Sequence, residues 1–160
     1  MKDKEVITNA MRILRQAGVP FSTASYTVDE DDLSGVHAAA EMGVEPERVF
    51  KTIVTHGEKT GYNVFVIPCA EELDLKKCAA ACGDKRVELI HVKELFGLTG
   101  YVRGGCSPVG MKKRFPTFLD ETAVLWDEIY VSAGQRGLQL VIDPNLLAQS
   151  VGASFADLIR

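Results

Sequence analysis

The sequence predicts an α+β protein: one domain, 1–160, with a mixed, largely antiparallel β-sheet surrounded by helices. Three observations carry this. Strand candidates outnumber strong helix candidates. The two kinds do not alternate regularly, so the strand–helix–strand rhythm of a doubly wound fold is missing. The 160 residues contain no internal repeat, low-complexity tract or linker-like run, and this length suits one core.

The first element is a helix with Val6, Ile7, Ala10, Met11 and Leu14 at helical spacing, stopped by Gly18. Residues 21–26 read as extended. After an acidic run, Ser34 or Gly35 begins a short helix through Met42, ended by Gly43 and the Glu45-Pro46 turn. Residues 49–56 and 62–67 form a hairpin around the turn Gly57-Glu-Lys-Thr-Gly61. Asp74 caps a helix over 75–82, closed by Gly83. A short strand (87–90) and a short helix (92–96) lead into a glycine-dense segment, 99–110. Strands at 117–119, 128–132 and 138–142 follow, the last two joined by Gly134-Gln-Arg-Gly137. Asp143-Pro144 starts a final helix, with a capping acid and proline at the first helical position.

Composition removes several classes. Hydrophobic residues make up 46% and charged residues 25%, the balance of a soluble globular protein. A domain of this size buries about two-thirds of its unfolded surface and needs no metal or disulfide staple. No apolar stretch reaches the roughly 18 residues of a membrane span. The segment Met1-Lys-Asp-Lys-Glu5 has no apolar core behind it and reads as a helix start, not a secretory signal. Cys69, Cys78, Cys82 and Cys106 lack C-x-x-C spacing, so free thiols in a reducing cytoplasm are expected. The net charge of −4 argues against coating nucleic acid by bulk charge. Charge is uneven, however: acid concentrates in Asp29-Glu30-Asp31-Asp32, and residues 103–114 hold Arg103, Lys112, Lys113 and Arg114 with no acid. One such basic strip suffices to dock a phosphate chain locally.

Lys51 is the first anomaly. Period-2 alternation sets it on the face of Val49 and Ile53. An ammonium between two apolar side chains needs an anionic or carbonyl-rich partner, which a substrate could supply. From spacing alone, an edge-strand lysine that snorkels to water accounts for it at least as well. The second candidate is the segment Thr99-Gly-Tyr-Val-Arg-Gly104-Gly105-Cys-Ser-Pro-Val-Gly110. Tandem glycines allow a ligand close to the backbone, and successive N–H groups can cradle an oxyanion. An irregular loop with a solvated basic edge is the alternative. The third is Gly134-Gln-Arg136-Gly137, mostly hairpin geometry, whose Arg136 could reach a phosphate or carboxylate.

Other chemistries find no support. His37, His56 and His91 stand apart without an H-E-x-x-H motif, which disfavours a zinc hydrolase. There is no G-x-S-x-G elbow and no P-loop. Cys78 and Cys82 read as small core residues. Cys106 is the one thiol in a candidate site loop, so a nucleophilic cysteine stays open. No metal or cofactor is expected.

Five motifs in order give the chain a family resemblance: Val49-Phe-Lys-Thr52, Leu73-Asp-Leu-Lys-Lys77, Thr99-Gly-Tyr with Gly104-Gly-Cys-Ser-Pro108, Gly110-Met-Lys-Lys-Arg-Phe-Pro116, and Ser132-Ala-Gly-Gln-Arg-Gly-Leu138. From about Tyr26 onward it resembles the YbaK-type aminoacyl-tRNA deacylases, relatives of the editing domain inserted in bacterial prolyl-tRNA synthetases. The resemblance implies that fold and a free-standing enzyme that clears mischarged tRNA, most typically Cys-tRNA(Pro). It places Lys51 in the substrate pocket and the Gly104 backbone near the aminoacyl ester. Tyr26, Ser34, Thr52, Gly105, Ser107, Arg136 and Gln139 become candidate substrate contacts. Arg103, Lys112, Lys113 and Arg114 become candidate tRNA contacts. Ser34 stands where relatives often have an aromatic residue, Gln139 where some have an acid, and Cys106 where many have an aliphatic one.

The expected activity is deacylation in the cytoplasm, with aminoacyl-tRNA as partner, a prolyl-tRNA synthetase as candidate third member of a ternary complex, and neither DNA nor membrane. With no triad or paired carboxylates in view, the substrate's own cysteinyl thiol is the expected nucleophile. Alternatives are hydrolysis of Ala-tRNA(Pro) or another aminoacyl-tRNA by water, a non-catalytic aminoacyl-tRNA or nucleotide-binding module, and a regulatory partner of a synthetase.

Overall fold

Capping residues set most element boundaries in the computed structural model, which describes residues 6–160. The helix start expected at Met1–Glu5 lies outside the described residues. Helix α1 (Asn9–Gln16) begins later than apolar spacing predicts, because the Thr8 side chain accepts a hydrogen bond from the Met11 N–H at 3.2 Å and ends the extended segment there. Val6 and Ile7 therefore lie before the helix, about half exposed. Of the two expected starts for α2 (Gly35–Met42), Ser34 is the cap and Gly35 the first helical residue, and Asp74 caps α3 (Leu75–Cys82) as expected. Helix α4 (Val92–Thr99) runs past the expected end at Phe96: Gly100, with φ +81°, supplies the left-handed stop. Helix α5 (Pro144–Val151) starts on the Asp143 cap.

The strands are β1 (Ser22–Ser25), β2 (Phe50–Gly57), β3 (Gly61–Pro68), β4 (Val87–Leu89), β5 (Thr117–Asp120), β6 (Ile129–Gln135), β7 (Leu138–Ile142) and β8 (Ser154–Ala156). They form two sheets rather than one. The larger has the order β4-β2-β3-β5-β8, antiparallel from β4 to β3 and parallel from β3 to β8. The smaller, β1-β7-β6, is antiparallel throughout. A parallel bridge between Val49 and Tyr130 joins β6 to the residue preceding β2.

β3 occupies the centre of the larger sheet, and Val64, Phe65, Val66 and Ile67 are all at most 1% exposed. Alternation splits them between two cores. Val64 and Val66 join Phe50 and Val54 of β2, Val131 and Leu140 of the smaller sheet, and Met11 and Leu14 of α1. Phe65 and Ile67 face the opposite way, toward Cys78 and Ala79 of α3 and toward Leu158. Both faces of the large sheet are thus covered, which leaves its strand edges as the places where a site can open.

Candidate active site

The site opens at an unfinished strand edge. β3 pairs with β2 along its whole length, but on the other side β4 reaches only Thr55–Gly57. Backbone groups in an antiparallel ladder alternate sides residue by residue. The Val49 carbonyl accepts from Cys69 on the β3 side, at 2.7 Å, and the Val54 carbonyl accepts from Ile90 on the other. Thr52, in phase with Val54, therefore turns its backbone N–H and C=O toward the open edge.

A cleft of about 420 Å³ lies there. Lys51 and Thr52 enter it from β2, and Gln139 and Ser132, a cross-strand pair, from β7 and β6. Arg103, Gly104 and Cys106 come from the loop after α4, while Tyr26, Asp31, Asp32 and Ser34 come from the segment between β1 and α2. Lys51 is half-buried and has no ion pair among the described residues. Lys51 thus sits beside the open edge of β2 and lines the cleft.

Two oxygens in the cleft are buried without a hydrogen-bond partner, Thr52 Oγ1 and Gln139 Oε1. Orphaned buried polar atoms are rare in native proteins and are commonly met by a ligand or water. Cys69 and Cys106 also line the cleft. Burial pushes the Cys69 thiol up to about 11 despite the opposing charge of Lys51. Burial likewise pushes Cys106 up to about 12, against a lowering contact with Thr99. Both are neutral thiols near pH 7, poorly suited to nucleophilic attack.

Gly104 adopts φ +83°, a left-handed conformation that favours glycine. Tyr101 holds its loop in place: the hydroxyl donates to the Val109 carbonyl at 2.5 Å, and the ring packs beneath Gly134. Arg136 straps the mouth without lining the cleft. Its Nε donates to the Arg103 carbonyl at 2.8 Å, and its Nη1 pairs with Glu30 at 3.1 Å. The strap ties the acidic segment to the glycine loop.

Gly105, Ser107, Lys112, Lys113 and Arg114 lie outside the cleft. Gly105 is buried, and a Cβ there would meet the Gln135 and Arg136 backbone at 3.1–3.2 Å. Ser107 is fully buried, with its Oγ accepting from the Val109 N–H. Ser34 lines the cleft while its Oγ accepts from the His37 N–H as the α2 cap. Lys113 and Arg114 line a separate hollow of about 210 Å³ with Met111 and Phe115. Lys112 is exposed beside that stretch, its backbone bonded to the Thr99 carbonyl. Candidate lists from sequence omitted Asp31, Asp32, Cys69 and Ser132. The acidic run was visible, but nothing in it marked a cleft wall.

This cleft at the free edge of a mixed sheet, lined by a lysine with no ion pair among the described residues and by a left-handed glycine, has the concave form of a small-molecule or chain-end site rather than of a flat docking face. Residues 33–149 match the aminoacyl-tRNA editing domain family, and the chain belongs to that family. It is 49% identical over 151 residues to a protein of Enterococcus faecalis (strain ATCC 700802 / V583) provisionally named Cys-tRNA(Pro)/Cys-tRNA(Cys) deacylase EbsC, covering 94% of this chain and 92% of the relative. Among solved structures, a protein described as a provisional trans-editing enzyme for prolyl tRNA synthetase matches with TM-score 0.82 at 26% identity, over 97% of this chain and 99% of the other. The hypothetical protein APE2540 shares the fold, with TM-score 0.84 at 23% identity over 93% and 97% of the two chains.

Proposed function

We propose that this protein is a trans-editing deacylase that cleaves the ester between a mischarged amino acid, foremost cysteine, and the 3′ end of tRNA(Pro). Its membership of the editing family and its similarity to the E. faecalis protein support the class of reaction. The observation that carries the site is the convergence of Lys51, Gly104 and two orphaned oxygens on one cleft. On this reading the chain acts as one editing domain, 1–160, in the cytoplasm. No helix among the described residues is long and apolar enough to cross a membrane.

Lys51 holds the substrate as a cation, by a phosphate or ester oxygen. The glycine loop lets the tRNA end approach the backbone and offers N–H groups to the developing oxyanion. The attacking group is the cysteinyl thiol of the substrate: sulfur bonds to the ester carbonyl carbon, and the bond to the tRNA oxygen breaks. The thiol proton ends on that oxygen, and cysteine leaves as a small cyclic thioester. The cleft folds the substrate onto itself and supplies proximity instead of a protein nucleophile. Arg103 at the mouth and Lys112, Lys113 and Arg114 beyond it take the tRNA phosphates. With an overall charge of −4 this contact is weak, and a prolyl-tRNA synthetase holding the tRNA in a ternary complex supplies the remaining affinity.

Deacylation of Cys-, Ala-, Ser- and Pro-tRNA(Pro) and of Cys-tRNA(Cys) tests the reading. Cys-tRNA should be cleared fastest. Lys51→Ala should slow that reaction at least tenfold, about 1.4 kcal/mol of transition-state stabilisation, with thermal stability nearly unchanged. An intact rate in this variant, or no clearance of any charged tRNA, would refute the assignment.

A further inference from the structure

The charge inside the cleft is not what a phosphate-binding groove alone would require. Asp31 and Asp32 line it together with Lys51 and Arg103. Two carboxylates at the mouth repel the phosphates of an approaching tRNA. Their neighbour Glu30 is already taken by Arg136. Asp31 has no side-chain partner among the described residues, its backbone N–H alone being bonded, to Asp29 Oδ1. Asp32 spends Oδ1 on the Ser34 N–H, at 3.0 Å, and its Oδ2 lies 4.0 Å from the His37 ring. Hydrogen bonds from Ser34 hold this carboxyl below the usual aspartate range, so it stays charged.

Independently, Gln139 is only 6% exposed, lines the same cleft, and keeps Oε1 without a donor. The cleft therefore holds unpaired acceptors as well as cations. The aminoacylated end of a tRNA matches that mixture: its phosphates are anionic, while the α-ammonium of its amino acid carries one positive charge and three N–H donors.

We propose that Asp31 and Asp32 at the mouth, with Gln139 Oε1 deeper in the cleft, form a subsite for the free α-ammonium of the substrate. The proposal rests on the deacylase reading and sharpens its substrate class: aminoacyl-tRNA with an unblocked amino group is accepted. Formylated aminoacyl-tRNA and peptidyl-tRNA, which lack the charge, are rejected. Such a filter would keep the enzyme from destroying initiator and nascent-chain tRNA, whose esters are otherwise alike.

The test uses two non-hydrolysable probes on 3′-amino-3′-deoxyadenosine: the cysteinyl amide and the 3-mercaptopropionyl amide. They share the thiol and differ by the amino group, without added bulk. The full-length protein should bind the second probe at least about tenfold more weakly, which corresponds to about 1.4 kcal/mol. In a combined Asp31→Asn, Asp32→Asn variant the gap should close to within about threefold. Asparagine at 32 retains the oxygen that receives the Ser34 N–H, so entry into α2 survives. Equal binding of both probes to the unaltered protein, or a gap unchanged in the variant, overturns the subsite. Turnover of Cys-tRNA(Pro), measured alongside, reports separately. Turnover with equal probe binding removes only the subsite, whereas a tenfold gap without turnover supports the subsite and removes the deacylase reading.

Discussion

Thr52 and Gln139 come from different sheets, yet each brings a buried oxygen without a hydrogen-bond partner to the same cleft. Leaving a buried polar atom unpaired costs about 1–3 kcal/mol. A ligand donor would recover that cost, which is what the proposed site gains when occupied. Thr52→Val keeps the branched shape and removes the orphan. The midpoint of thermal unfolding should hold or rise, while KM for charged tRNA should increase by about two- to tenfold, the worth of one hydrogen bond. A fall in stability with KM unchanged would assign Thr52 to the core instead.

Gly104 allows a cleaner separation of folding from function. A Cβ added there would meet Leu33 and Arg136 side chains at 3.5 Å, ordinary contact, so the protein itself has room for it. The penalty is conformational: at φ +83° an L-residue costs about 1–2 kcal/mol. Gly104→Ala should therefore fold with a lowered unfolding midpoint, and Gly104→Asn should recover part of the loss because asparagine tolerates this region. Turnover should stay depressed in both, since either Cβ blocks approach to the backbone. Normal kinetics in a folded Gly104→Asn protein would reduce the loop to a structural turn.

Asp84 fastens the hairpin of β2 and β3, and its effect should appear in acid. Its carboxylate accepts from the Lys59 and Thr60 N–H groups and the Thr60 hydroxyl through Oδ2, and from Lys85 and Arg86 through Oδ1. Desolvation opposes the charge, but the bonds from Thr60, Lys59 and Arg86 outweigh it and hold the carboxyl far below the usual aspartate range. A depressed folded-state pKa means the unfolded chain binds the proton first as pH falls. The stabilisation is complete above an unfolded value of about 3.9 and is lost below it. Comparing unfolding midpoints of the native protein and Asp84→Ala, the gap should be constant from pH 7 to 5 and shrink below pH 4. A gap that widens in acid would contradict this.

Local signals account for what sequence revealed. Helix α3 lies between Asp74 and Gly83 because a capping carboxylate and a left-handed glycine act within one turn of the chain. The β2–β3 hairpin was equally local. Thr8, a cap hidden inside an apolar period, displaced the start of α1. β8 was too short to announce itself, and its pairing with β5 spans more than thirty residues. The division into two sheets depends on β1 meeting β7, about 115 positions away, which no local pattern encodes. The site behaves likewise. Lys51 stood out as a charge among apolar neighbours and Gly104 as half of a tandem glycine, but only the fold brings them to one cleft. Asp31 and Asp32 stood out only as part of an acidic run, because the surface they face is built from distant strands.

On the proposed mechanism none of the protein's own cysteines attacks the ester. Cys69 and Cys106 line the cleft, and burial raises their thiols to about 11 and about 12. At pH 7 each would be thiolate in roughly one molecule in ten thousand or fewer. Cys78 lies on the buried face of α3, raised by burial to about 12, and Cys82 is on the same helix outside the cleft. A free cysteinyl thiol, by contrast, ionises near 8.5, leaving a few per cent as thiolate at neutral pH beside its own ester carbonyl. Cys106→Ala, and then replacement of all four cysteines by alanine in a protein checked for folding, should keep Cys-tRNA(Pro) clearance within about threefold. Ser-tRNA(Pro), with a hydroxyl for the thiol, should react at least a hundredfold more slowly, about 2.7 kcal/mol. Rapid quenching should capture a cyclic thioester before free cysteine. An inactive Cys106→Ala protein would make that residue the nucleophile, and equal rates on Ser- and Cys-tRNA would make it water.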